Sequence, residues 1–112
     1  MSFANTPEPP YYAVIFTSRG AETDAEAYAR TAERMVELAG QQPGFLGVES
    51  VRNEDGFGIT VSYWESLEGI RQWRENSEHL AAQQKGREEW YARFELRVAK
   101  VERAHRFSQE SK

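Results

Sequence analysis

The sequence contains no cysteine and no excess of basic residues. Without cysteine, disulfide bonds, iron–sulfur clusters and catalytic thiols are excluded. The net charge is −4, with both signs interspersed, whereas nucleic acids and anionic membranes select a basic stripe. We therefore expect neither nucleic acid nor a membrane as a partner. The amino terminus lacks a signal-peptide pattern and no run has the length of a membrane span, so the default expectation is a cytoplasmic location.

Motifs for metal, nucleotide and nucleophile chemistry are also missing. The carboxylates are spread over predicted solvated helical faces without the spacing of a metal site. Glycine-rich phosphate loops and nucleophile elbows do not occur. We therefore expect no cofactor and no bound metal.

The composition predicts one small domain with few but large apolar side chains. The chain has 112 residues, of which 39% are hydrophobic and 12% aromatic, a combination that suits a compact α+β domain. We expect a flexible, proline-rich arm over residues 1–10, a folded domain over residues 11–107 and a short tail over residues 108–112.

Hydrophobic periodicity and turn residues predict the order of the elements. The predicted strands are Tyr11–Thr17, Phe45–Asn53, Phe57–Trp64 and Phe94–Phe107. The predicted helices are a first from the capping box at Thr23–Glu26 to about Ala39, a second capped by Ser66, a third from Ser77 to about Lys85, and one further turn over residues 87–91. This β-α-β-β-α-β order is the ferredoxin-like split βαβ fold of the α+β class, with a four-stranded antiparallel sheet.

The first strand is apolar on both faces. Tyr11, Ala13 and Ile15 alternate with residues 12, 14 and 16, which are Tyr, Val and Phe. Helices cover only one face of such a sheet, so a symmetric partner sheet is the simplest cover for the other. The pattern therefore predicts a homodimer.

The stretch between the third strand and the last one resembles the antibiotic biosynthesis monooxygenase family of the dimeric α/β-barrel class. The residues that carry the resemblance are Val61-Ser62-Tyr63-Trp64, Glu65-Ser66-Leu67-Glu68, Trp73, His79-Leu80-Ala81-Ala82-Gln83 and Trp90-Tyr91. The resemblance covers about Tyr11–Phe107 and implies a dimeric α/β barrel. It also implies cofactor-independent oxygenation of an aromatic or quinol-like molecule.

The haem-degrading branch of that family differs from this sequence at two of three positions. Trp73 matches the branch's helical tryptophan, but Gln83 stands where an iron-ligating histidine is expected and Phe16 where an asparagine is expected. Glutamine is a poor iron ligand compared with a neutral imidazole. Haem degradation by that mechanism is therefore not expected.

His79 is the best candidate for an acid/base group. It stands in the first turn of the predicted third helix, where the helix dipole favours the neutral, basic imidazole. A structural role, in which it bonds a loop carbonyl or faces solvent, is the alternative. His105, in the polar end of the last predicted strand, is more simply read as an exposed residue.

Five further side chains are candidates for a substrate pocket. They are Trp73, Trp90, Phe16, Tyr63 and Arg97. The aromatic residues can line a pocket for a flat substrate or form the core. Arg97 shares a strand face with Ala99 and Val101, so it can hold a substrate oxyanion or form an ion pair at a dimer interface.

Two classes of function remain open. One is a homodimeric monooxygenase in which His79 is the base, Trp73 and Trp90 form walls, and Arg97 contacts the anion. The other is a non-catalytic dimer that binds a small ligand or is associated with stress, with haem binding as a third possibility. Catalysis requires a titrating group in the pocket, whereas binding requires only a shaped apolar cavity.

Overall fold

The computed structural model describes residues 2–20, 25–76 and 91–109. The elements are β1 Tyr11–Gly20, α1 Ala25–Gly40, β2 Phe45–Arg52, β3 Phe57–Trp64, α2 Leu67–Glu75 and β4 Tyr91–Val101. The four strands pair in the order β2-β3-β1-β4, and each pair is antiparallel. This confirms the predicted α+β, ferredoxin-like fold. Among the described residues, no helix has the length and apolar character needed to cross a membrane.

The ends of the outer strands differ from the prediction because pairing sets them. β1 continues past Thr17 to Gly20 and pairs there with the start of β4 at Tyr91. The helical turn predicted over residues 87–91 is therefore wrong at Tyr91. At its other end β4 stops at Val101, opposite Tyr11, rather than at Phe107. Beyond Tyr11 no β1 residue remains to accept a ladder hydrogen bond.

The two helix ends next to the core follow the predicted local signals. Ser66 caps α2, and its Oγ accepts a hydrogen bond from the Gly69 N–H at 3.1 Å. The helix stops at Asn76, whose N–H donates to the Trp73 carbonyl at 3.1 Å. The beginning of the Thr23–Glu26 capping box and the predicted third helix over Ser77–Lys85 lie outside the described residues.

The hairpin between β2 and β3 has the predicted turn. The Asn53 N–H donates to the Phe57 carbonyl at 2.8 Å, and Gly56 has φ +92°. A residue with a Cβ rarely adopts that conformation, which accounts for the glycine.

One core lies between the helices and the sheet. It consists of Leu38, Ala39, Trp64, Ile70 and Trp73, with Tyr12, Val14, Met35 and Phe45 packed against it. Alternate residues of each strand point to opposite sides. We call the side that carries Tyr12 and Val14 the helix-facing side, and the side that carries Ala13 and Ile15 the open side.

Candidate functional site

The helix-facing side consists of four cross-strand rows, because directly paired residues share a side of the sheet. In the order β2, β3, β1, β4, the rows are Phe45, Trp64, Tyr12, Lys100; Val48, Ser62, Val14, Val98; Ser50, Thr60, Phe16, Leu96; and Arg52, Gly58, Ser18, Phe94. The first row is largely aromatic, whereas the last two rows carry Ser50, Thr60, Ser18 and the Arg52 guanidinium. The surface therefore has an apolar end and a polar end.

The apolar end is filled by tryptophan. Trp64 is fully buried; its ring stacks on Trp73 with a centroid distance of 6.3 Å and meets Phe45 edge-on at 5.4 Å. The Trp64 Nε1–H donates to Ser62 Oγ at 3.0 Å, so this buried donor is satisfied. Trp73 therefore belongs at least in part to the core.

The polar end is built around Ser18, whose exposed fraction is 2%. The Arg52 guanidinium reaches across β3 and donates from Nη2 to Ser18 Oγ at 2.9 Å, and from Nη1 to the Gly56 carbonyl. Gly58 lies beneath it, where a Cβ would come within 3.0 Å of Arg52 Cζ. The glycine thus leaves the space through which Arg52 joins the edge strand β2 to β1.

An aromatic pair adjoins these polar groups. The rings of Phe16 and Phe94 lie 5.3 Å apart, tilted by 35°, and both side chains are half-buried. In the neighbouring row the hydroxyls of Ser50 and Thr60 are 2.6 Å apart. This half of the helix-facing side combines flat apolar surface with hydroxyl groups, which suits a planar molecule that carries oxygen substituents.

Tyr63 lies on the open side, away from Phe16 and Trp73. Its hydroxyl donates to Glu49 Oε1 at 2.7 Å, and its ring meets Tyr11 edge-on at 5.8 Å. Burial raises the pKa of Tyr63 to about 12, with further contributions from the hydrogen bond to Glu49 and its charge. Tyr63 is therefore protonated at neutral pH and donates a hydrogen bond to Glu49.

Arg97 also lies on the open side, opposite Ile15 in the register. Its Nη2 is 2.7 Å from Glu95 Oε1, and both side chains are largely exposed. Of the predicted pocket residues, the structure brings Phe16 and Trp73 to one side and places Tyr63 and Arg97 on the other. The four residues cannot line one pocket within a single sheet.

The remaining predicted residues, His79 and Trp90, lie outside the described residues, as does Gln83. Their roles stay predictions. His105 follows β4 in an exposed segment.

Ser18 and Arg52 were not predicted. The predicted first strand ends at Thr17, which leaves Ser18 in a loop. One signal could have placed Ser18 on the helix-facing side. In a strand every second residue points to the same side, so Ser18 follows Val14 and Phe16 if the strand continues past Thr17. No pattern in the sequence indicates that Arg52 bonds to it, because the two residues meet only through the sheet register.

Comparisons with known proteins agree with this architecture. The uncharacterized protein YqjZ of Bacillus subtilis is 59% identical over 106 residues, which span 95% of this chain and 92% of the relative. The Pyricularia oryzae protein named jasmonate monooxygenase ABM is 28% identical over 94 residues, which span 80% of this chain but only 43% of that protein. The crystal structure of SnoaB, a cofactor-independent oxygenase from Streptomyces nogalater, aligns with a TM-score of 0.68 at 16% identity, covering 88% of this chain and 96% of SnoaB.

The family assignment rests on the match between this chain and the sequence model of a protein family. The model of the family described as antibiotic biosynthesis monooxygenase matches residues 11–85, from the start of β1 to beyond α2. That range includes β1, β3 and α2, which carry Phe16, Ser18, Trp64 and Trp73. The chain therefore belongs to the antibiotic biosynthesis monooxygenase family.

Proposed function

We propose that this protein is a cofactor-independent monooxygenase that acts on an aromatic or quinol-like small molecule. The family, and the description of SnoaB as a cofactor-independent oxygenase, support the reaction class. The observation that carries the substrate class is the polar half of the helix-facing side, where Phe16 and Phe94 adjoin the hydroxyls of Ser50 and Thr60. A flat ring system packs on the aromatic pair, and the hydroxyls meet its oxygen substituents.

The reaction balances without an external reductant. A base removes a proton from an activated CH₂ or phenolic group, and the resulting carbanion or enolate transfers one electron to O₂. The two radicals combine to a peroxide at the substrate carbon. The peroxide takes back the proton held by the base, and loss of the proton that remains on the substrate carbon then breaks the O–O bond, so that one oxygen atom remains as a carbonyl and the other leaves as water. All four electrons come from the substrate.

The base in this proposal is His79. The paired positions of the four described strands supply no carboxylate or imidazole to the helix-facing side. The proposal therefore takes the proton acceptor from residues 77–90, in which His79 is the single histidine. The neutral imidazole is matched to a proton transfer near neutral pH.

The aromatic and polar half of the helix-facing side also supports a second candidate function, a dimer that binds an aromatic ligand without catalysing its conversion. An aromatic and hydroxyl-bearing surface is sufficient for binding. The two functions therefore differ in whether His79 acts on the bound molecule.

Oxygen consumption with a panel of anthrones and naphthohydroquinones tests the proposal. With an active substrate, His79→Ala should lower kcat at least about tenfold, since a positioned base contributes roughly 10²–10⁴-fold. The pH–rate profile of the unaltered protein should show a limb near the imidazole range. His105→Ala is the matched control and should retain full activity. Full activity in His79→Ala contradicts the assignment of the base, and saturable binding without oxygen uptake favours the binding protein.

We further propose that two copies associate through their open sides. Ile15 and Val61 are half-buried there, and Val51 and Ile59 are exposed. An apolar sheet surface of this extent is typically covered by a partner, and a stable interface buries more than roughly 1,200 Å² in total. In this arrangement Tyr63 and Arg97 belong to the subunit interface rather than to the substrate pocket.

A further inference from the structure

The two chain termini leave the sheet at the same place. β1 begins at Tyr11 and β4 ends at Val101, and these residues are paired. The segment before Tyr11, residues 2–10, is called the arm, and the segment after Val101, residues 102–109, is called the extension. Because β1 and β4 are antiparallel neighbours, the arm and the extension start side by side.

The arm does not trail into solvent but lies on the open side. The Ala4 N–H donates to Glu49 Oε2 at 2.9 Å. A Cβ on Gly47 would lie 2.9 Å from Ala4 Cβ, so the glycine permits this close approach. The arm therefore covers the part of the open side formed by the start of β2 and leaves the rest of that side uncovered.

The extension is tied to the arm. Arg106 Nη2 donates to the Thr6 carbonyl and lies 3.4 Å from Thr6 Oγ1, and Thr6 Oγ1 is hydrogen-bonded to the Tyr11 hydroxyl at 3.1 Å. These contacts hold the two segments next to each other at the border of the open side.

Both segments present a large aromatic side chain to solvent. Phe3 has an exposed fraction of 95% and Phe107 of 80%, the highest values among the large hydrophobic residues that the structure describes. Burying either ring would remove a large apolar area from water. Positions this exposed beside a proposed interface point to an occupant outside the chain.

The charge distribution favours a second copy as that occupant. The extension, residues 102–109, has two basic residues and one acidic residue, a net charge of +1, so the rest of the chain has a net charge of −5 within the total of −4. A basic extension is attracted to an acidic body of the same chain. The side chain of Arg103, in the exposed extension, is available for such a contact.

We propose that the arm and the extension of each copy clamp a second copy, with Phe3 and Phe107 packed on the partner's surface. This inference rests on the proposed homodimer. The open sides form the centre of the interface, and the arm and the extension form its border. A salt-sensitive contribution from the basic extension accompanies the apolar one.

To test the clamp, the dimer Kd is measured by sedimentation velocity over a range of protein concentrations. Phe3→Ser and Phe107→Ser should each raise the Kd at least about tenfold, as expected for the loss of one buried aromatic ring. The double variant should raise it further. Leu67→Ser is the matched control, because Leu67 is an apolar residue with an exposed fraction of 54% on α2; its Kd should be unchanged.

A cross-linking experiment gives a second, independent readout. A photoreactive benzoylphenylalanine in place of Phe107 should yield covalent dimers, and copies with two different tags should show that the link joins two chains. An unaltered protein that is monomeric overturns the homodimer and the clamp together. An unaltered dimer whose Kd is the same in both phenylalanine variants, or whose cross-links stay within one chain, overturns the clamp alone.

Discussion

At the scale of single residues, Glu49 connects three parts of the chain. One carboxylate oxygen accepts from the Ala4 N–H of the arm, and the other accepts from the Tyr63 hydroxyl of β3. Hydrogen bonds to an ionised acceptor are stronger than those between neutral groups. A single side chain of β2 therefore holds the arm to the sheet and adds to the effect of burial in raising the pKa of Tyr63.

The raised pKa of Tyr63 predicts a loss of stability at alkaline pH. The ordinary tyrosine pKa is 10.0, and in the folded chain it is about 12. Its contribution to the free energy of unfolding is complete below about pH 10 and is lost as the pH rises through about 12, because the unfolded state releases the proton first. Urea unfolding at stepped pH should show this fall, and Tyr63→Phe should lack it.

One variant separates the causes of that shift, and a second serves as its control. Glu49→Gln removes the charge, so a titration of tyrosinate absorbance should show the pKa of Tyr63 moving toward 10 while the effect of burial remains. Tyr12→Phe, on the helix-facing side, is the control and should leave the alkaline fall in place. An unchanged pH dependence in Tyr63→Phe would contradict the prediction.

At the scale of elements, the β2–β3 hairpin is joined to β1 by Arg52. The Gly20 N–H donates to the Gly56 carbonyl at 2.9 Å, and the Arg52 guanidinium contacts the same carbonyl and Ser18. The polar end of the helix-facing side is thus shaped by a hairpin turn, an arginine and a strand end together.

Gly58→Ala should weaken this junction. The added Cβ would meet Arg52 Cζ and the Val51 carbonyl oxygen, each at 3.0 Å. We expect the free energy of unfolding to fall by about 1–3 kcal/mol, the usual cost of overpacking. Gly40→Ala is the control, since no atom lies within 4 Å of its added Cβ, and it should be neutral or slightly stabilising. Equal stability of the two variants in urea unfolding would show that Arg52 moves aside freely.

At the scale of the whole molecule, the proposed dimer depends on the open side of the sheet. Val51→Glu and Ile59→Glu place a charge on the uncovered part of that side, and a buried, unpaired charge is costly. Each variant should shift the protein from dimer to monomer in light scattering, with an unchanged circular dichroism spectrum. Leu67→Glu, on α2, should remain a dimer. Dimers of all three variants would exclude the open side as the interface.

The element order, the hairpin and the cap of α2 could be predicted from the sequence because each depends on neighbours along the chain. Asp55-Gly56 favours a tight turn wherever it occurs between two apolar runs, and Ser66 caps a helix through a residue three positions away. The alternation in β1 likewise showed that both sides of the sheet are apolar.

The strand ends, the side to which each candidate residue points and the docking of the arm depend on contacts between distant residues. Ser18 meets Arg52 and Phe94 only through the register of four strands, and β4 stops at Val101 because its partner strand begins at Tyr11. Tyr63 was grouped with Phe16 as an aromatic residue, and Arg97 was added because its strand neighbours Ala99 and Val101 are apolar, but strand parity places both on the opposite side. Pairing is non-local, so these features were settled by the assembled sheet, whereas local periodicity had already specified the elements that form it.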